Sequence, residues 1–210
     1  MFTVDWFSAK IPQWEKTLKD YYNKDNVRVL EIGSYEGRSS LYICNKILTG
    51  KNVKLTCVDR WDTDIELKEI MGDVIYNRLK DDTVYNLFKS NLKEHIANGK
   101  VEIIRGKSVE KLPELLIEID KNKREYYDFI YVDGSHNAKN CLVDSILAFE
   151  LLKVGGILIF DDYLWSMFLE EEKNPKIAID SFLKVYKQRY EIIYSGYQVH
   201  IKKLNEPHWI

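Results

Sequence analysis

The sequence predicts an α/β fold: a mostly parallel sheet of seven strands, covered by helices on both faces and closed by an antiparallel C-terminal hairpin. Three observations carry this. Short apolar runs alternate with helix-like patterns five times between Val27 and Phe160, and such alternation builds parallel strands joined by helical crossovers. The first run, Val27–Ile32, passes directly into a turn holding Gly33 and Gly37 and then into a helix. Glycine lets the backbone take positive φ, and the helix start offers unpaired N–H groups, so this join suits a nucleotide. The last two runs, Tyr190–Tyr194 and Tyr197–Lys203, are separated only by Ser195-Gly196, which reads as a tight hairpin.

At 210 residues the chain is most simply one domain, 1–210, with residues 1–25 as a helical segment on its edge or a lid over a pocket. The apolar share of 45% and charged share of 30% are those of a globular protein in water. A net charge of −2 argues against nucleic acid held on a broad basic face. No apolar run approaches a membrane span and the first residues lack a signal-peptide core, so a cytoplasmic location is expected. Cys44, Cys57 and Cys141 are odd in number, widely spaced and set among apolar neighbours, and are expected to be reduced core residues.

In chain order, Pro12 suits a helix start, with Trp6, Phe7 and Trp14 around it. The helix after the first strand spans about Arg38–Leu48. The second strand, Val53–Asp59, ends on an acid, the place from which a carboxylate can take both ribose hydroxyls. A helix cap is the plainer reading of Asp59. Residues 60–99 are long for a crossover, and Val84, Leu87, Phe88, Leu92 and Ile96 fall at helical spacing. Trp61 flanks an adenine or substrate, or lies at the core edge. Val101–Arg105 is the third strand; Ser108 caps the helix Val109–Ile119 or contacts an adenine. The fourth strand runs Tyr127–Asp133 into Gly134-Ser135-His136, and the helix Cys141–Leu152 follows. Gly155-Gly156 turn the chain into the fifth strand, Ile157–Phe160, which ends in Asp161-Asp162. A helix from Pro175 to about Gln188 precedes the hairpin.

With these motifs the chain resembles class I S-adenosylmethionine-dependent methyltransferases, over about Val27 to Lys203. The resemblance implies a Rossmann-like three-layer α/β/α sandwich. The EIGSYEG turn looks like that family's first motif, and the GxGxxG spacing expected of a nicotinamide enzyme is absent. By the resemblance Glu31, Gly33, Ser34 and Gly37 line the methionine portion, Asp59 takes the ribose hydroxyls with Arg60 and Trp61 beside it, Ser108 lies near the adenine, and Asp133 also faces the cofactor. A narrower resemblance is to metal-dependent O-methyltransferases of the catechol type and of the type acting on antibiotic sugars. It implies a divalent cation, Mg²⁺ by its all-oxygen ligands, held by Asp133, Asp161 and Asp162.

An alcohol is barely ionised near neutral pH, so methyl transfer to it gains from a cation on the oxygen and from a base. His136 is the first candidate base, since histidine exchanges protons near neutrality; Lys139 is the second and must first lose its proton. Asp144 supports His136 or faces solvent; His95, His200 and His208 carry no partner pattern. The acceptor implied is a small-molecule hydroxyl, a sugar ahead of a phenol. A metal-free N- or O-methyltransferase and a non-catalytic nucleotide-binding protein remain open, as does a homodimer. DGSH stands where nucleic-acid amino-methyltransferases carry an (N/D)PP(Y/F) motif, which counts against that class.

Overall fold

The computed structural model describes residues 1–63 and 65–205, and within these leaves out the side chains of 65–67 and 69–71. His208 lies outside the described residues. Five strands are parallel: β1 (Arg28–Ile32), β2 (Lys54–Asp59), β3 (Val101–Arg105), β4 (Tyr127–Val132) and β5 (Leu152–Phe160). Strands β6 (Tyr190–Ser195) and β7 (Val199–Lys203) form the hairpin, with β7 antiparallel to both β5 and β6. The sheet order is β3-β2-β1-β4-β5-β7-β6. The chain therefore reverses its direction of travel across the sheet between β1 and β4, and a crevice opens there at the carboxyl ends of the strands.

Side chains alternate across the sheet, and each strand feeds two cores. Val29, Phe129, Tyr131 and Ile159 enter one, beneath α1 (Ile11–Thr17), α2 (Arg38–Tyr42) and α4 (Thr83–Asn91). Leu30, Ile130, Val132 and Leu158 enter the other, with α6 (Ser108–Asp120), α7 (Ala138–Leu151) and α8 (Pro175–Val185). This is the three-layer sandwich, and each fully buried apolar side chain contributes roughly 1.5–3 kcal/mol. Trp14, with no exposed surface, packs edge-on against Phe129 and Tyr131, at ring-centroid distances of 5.4 and 4.8 Å. All three cysteines are buried and free, as expected.

Several boundaries differ from the sequence reading. The helix after Gly37 is α-helical only to Tyr42, then widens into a π-type turn, Ile43–Ile47. Residues 60–99 hold three helices: α3 (Ile65–Lys80), broken at Gly72, then α4, then α5 (Lys93–Ala97). Helix α7 begins at Ala138 because the Asn137 side chain accepts from Lys139 N, capping the helix three residues early. Ser108 is the first residue of α6 and caps nothing; Lys107 holds the cap position. Strand β5 begins at Leu152, so Gly155-Gly156 sit inside an irregular strand rather than in a turn before it. Among the described residues no helix is long and apolar enough to cross a membrane.

Candidate active site

The site grows out of the parallel register. Past the ends of β1, β4 and β5 the ladder continues for one more residue. Gly33 N donates to Val58 O at 2.9 Å, Asp133 N to Ile32 O at 2.8 Å, and Asp161 N to Val132 O at 2.9 Å. Gly33, Asp133 and Asp161 are thus lateral neighbours. Gly33 adopts φ +84°, and a Cβ there would stand 2.0 Å from the Asp133 carbonyl oxygen. Only glycine lets these strand ends approach so closely.

These ends floor a cleft of about 1120 Å³, spacious enough for a nucleotide-sized ligand and a second molecule. Gly33, Ser34, Asp59, Arg60 and Ser108 line one part of it; Asp133, His136, Lys139 and Asp162 line another. Residues 2–10 form its roof, with Phe2, Val4, Trp6, Phe7 and Lys10 in the lining. This strap is pinned at several points. Thr3 N donates to Glu36 Oε2 at 2.7 Å, Arg38 Nε to Val4 O at 3.1 Å, and Trp14 Nε1 to Gln198 Oε1 at 2.9 Å. The opening segment thus packs through Trp14 on the sheet and through residues 2–10 along the cleft.

Asp133, Asp161 and Asp162 each present a carboxylate oxygen within 4.8 Å of the others. Successive residues of an extended strand point to opposite sides. Asp162 escapes this by a left-handed φ of +54°, which turns its side chain into the same cluster as Asp161. Tyr131 OH bridges the pair beneath, donating to Asp133 Oδ2 at 2.8 Å and also to Asp161. Lys10 Nζ donates to Asp161 Oδ2 from the strap. Burial and the adjacent Asp161 carboxylate push the Asp133 carboxyl well above the ordinary carboxylate range, with Lys10 opposing. Burial also acts to raise Asp162, but the His136 hydrogen bond and charge, with Lys10, hold it below that range.

His136 Nε2 lies 2.8 Å from Asp162 Oδ2, and its ring packs on Trp165 at 4.6 Å. A carboxylate accepts, so Nε2–H donates to Asp162, and Nδ1 is the ring nitrogen outside that bond. Lys139 is exposed at the start of α7 and lines the same part of the cleft. Asp144 neither supports His136 nor faces solvent: it is buried at the cleft wall, burial pushes it up to about 6, and Ser108 is its hydrogen-bond partner.

Four expected site residues stand behind the lining. Glu31 is wholly buried and accepts from Ser34 Oγ at 2.7 Å, Ser39 Oγ at 2.5 Å and Ser40 Oγ. It braces the turn from below through these serines. Gly37 faces Phe88 and Leu92. Trp61 is 1% exposed, packs on Phe88 and donates Nε1–H to Tyr35 O at 2.8 Å, which places it in the core. Asp161 lies just beneath the cleft, under Lys10. Asp59 lines the cleft, but its carboxylate also organises the turn. Oδ2 accepts from Ser34 N and Tyr35 N at 2.8 and 2.9 Å, and Oδ1 from Trp61 N at 2.7 Å. Lys10, Tyr131 and Gln198 were not anticipated, because nothing local in sequence ties them to the strand ends.

A family model described as a methyltransferase domain matches residues 30–163. The chain belongs to this methyltransferase-domain family. The match opens within β1 and closes one residue beyond Asp162, so the methyltransferase core holds the turn, Asp59, the acid cluster and His136. The strap with Lys10 precedes it. Tapetum-specific methyltransferase 1 of Arabidopsis thaliana is 28% identical over 108 residues, which is 51% of this chain and 42% of that protein. The chain thus spans less than half the length of that relative. Among solved structures, the O-methyltransferase from Bacillus cereus in complex with SAH superposes with a TM-score of 0.62 at 16% identity, covering 95% of this chain and 82% of the other. MycE methyltransferase from the mycinamycin biosynthetic pathway, in complex with Mg, SAH and mycinamycin VI, gives 0.59 at 16% identity, covering 98% and 54%. At such identities the likeness is one of fold, and the fold is the methyltransferase sandwich.

Proposed function

We propose that this methyltransferase domain is an S-adenosylmethionine-dependent O-methyltransferase, acting on a hydroxyl of a small molecule with a divalent cation aligning the acceptor. A sugar hydroxyl is the first acceptor class to test. The observation that carries the reading is the convergence of Asp133, Asp161 and Asp162, beside His136, on a cleft that also contains the Gly33 turn. The residues fit both groups. Gly33 puts a turn without a side chain into the cleft lining beside the Asp59 carboxylate, a fit for a nucleoside. The cluster is an all-oxygen donor set, suited to a hard cation. The Bacillus cereus and mycinamycin-pathway enzymes, solved with SAH and the latter with Mg, support the same reading.

Bound S-adenosylmethionine supplies a methyl group already activated on a sulfonium, and a bound divalent cation supplies a Lewis acid for the acceptor oxygen. The protein's share is placement and proton removal. Asp59 holds the Gly33 turn in shape and offers its carboxylate to the ribose hydroxyls. Ser108 and Asp144 form a polar wall beside it. Asp133, Asp161 and Asp162 would hold the cation, and His136, oriented by Asp162, would take the acceptor's proton at Nδ1. The strap closes over residues 33–38 and excludes water.

A metal-free methyltransferase is the second reading. It is favoured by the Lys10 ammonium, which already pairs with Asp161. Calorimetric titration with S-adenosylmethionine and NAD⁺, each with Mg²⁺ and with EDTA, tests the proposal. Binding of the methyl donor alone is expected; its absence under both conditions overturns the reading. Turnover that survives chelator moves the assignment to the metal-free class. Asp59→Ala is expected to weaken S-adenosylmethionine binding at least about tenfold, or about 1.4 kcal/mol. It removes the hydroxyl acceptor and releases the Ser34 and Tyr35 amides together. Unchanged affinity takes Asp59 out of the site.

A further inference from the structure

The acid cluster is not bare. Lys10 reaches it from the strap, its side chain 14% exposed, and hydrogen-bonds to Asp161, whose side chain is fully buried. The placement is fixed by packing. Lys10 ends a short 3-10 turn, Ser8–Lys10, and α1 begins at the next residue. One turn later Trp14 is locked between Phe129 and Tyr131, with its indole N–H on Gln198. The same Tyr131 ties Asp133 to Asp161. The backbone at residue 10 is therefore held against the cluster, while the side chain borders the cleft, which leaves space beside the ammonium.

The charges around the cluster are few. Asp133 and Asp161 share Tyr131 OH; Asp161 also has Lys10 and the Asp162 amide; Asp162 has His136 and Tyr197. Lys10 is the fixed positive charge among them. Three carboxylates this close repel one another strongly in a partly buried site. An ammonium on Asp161 relieves that repulsion, but it also occupies an oxygen that a divalent cation would use, and it repels the cation.

We propose that Lys10 is a tethered internal competitor for the cation site: its ammonium holds Asp161 in the metal-free protein and must swing off that carboxylate before a divalent cation engages all three. Cation affinity is thus set in part by a residue of the strap, outside the matched methyltransferase core. Lys10 acts here through Asp161 and is a positioning residue. The inference rests on the metal-dependent reading given above.

The test is Mn²⁺ binding to the full chain, followed by the electron paramagnetic resonance signal of free Mn²⁺, with thermal melting in parallel. Lys10→Met keeps the apolar stem and removes the charge; Lys10→Arg keeps the charge. Lys10→Met is expected to bind Mn²⁺ at least about tenfold more tightly than the parent, to melt lower in EDTA, and to gain more in melting temperature on Mn²⁺ addition. Lys10→Arg is expected to bind as the parent does, an outcome that loss of packing alone would not give. Equal or weaker Mn²⁺ binding by Lys10→Met overturns the competitor role and leaves the metal site standing. No Mn²⁺ binding by any of the three proteins overturns the metal reading and this inference with it.

Discussion

Gly33→Ala is expected to abolish measurable S-adenosylmethionine binding and to lower the melting temperature by roughly 6–12 °C, as a loss of about 3 kcal/mol does in a chain of this size. Two costs add. The left-handed φ of +84° is strained for any residue with a Cβ. The new methyl would also stand 2.0 Å from the Asp133 carbonyl oxygen and 2.6 Å from Gly134 Cα. Both obstacles are backbone, so no rotamer relieves them. The ends of β1 and β4 must part, and Asp133 leaves the acid cluster as they do. Calorimetry and ligand titration check this. A variant that melts and binds like the parent would mean that the strand ends are not in contact.

His136→Ala is expected to slow methyl transfer by about 10²–10⁴-fold, the usual contribution of a positioned base, while S-adenosylmethionine binding stays within about twofold. Partial recovery at high pH is expected, because an acceptor that ionises by itself no longer needs the imidazole. His136→Gln separates two effects. It can still donate to Asp162 but cannot take a proton, so it should be as slow as the alanine variant. A rate near the parent's in the glutamine variant would make His136 a holder of Asp162 rather than a base.

The elements that build the site were legible where sequence neighbours are also structural neighbours. Val27–Ile32 followed by Gly33 announces a strand and a close turn. Parallel pairing then makes the residues after each strand lateral partners, so Asp133 and Asp161-Asp162 could be placed together without coordinates. Glu31, which the resemblance puts at the methionine portion, is buried with the hydroxyls of Ser34, Ser39 and Ser40 on its carboxylate. That serine spacing was a usable signal. Trp61 was ambiguous because an aromatic after a strand suits a pocket wall and a core equally; Phe88, many residues later, decides for the core. Lys10 was invisible, since no local pattern links a lysine near the start of the chain to an aspartate 151 residues away.

The strap also orders events in time. Its anchor, Trp14, bonds to Gln198, and Thr17 Oγ1 lies 2.8 Å from His200 Nδ1, so two of its fastenings lie in β7 and the turn just before it. At ribosomal speeds of about 5–20 residues per second, residues 1–18 wait on the order of 10–40 s before those partners exist. Tyr35, Tyr42 and Phe129 are made earlier and already offer rings to Trp6, Phe7 and Trp14, so what is missing through that interval is the acceptor for the Trp14 indole N–H. The strap is therefore fastened in two stages, first to Glu36 and Arg38 and last to Gln198 and His200.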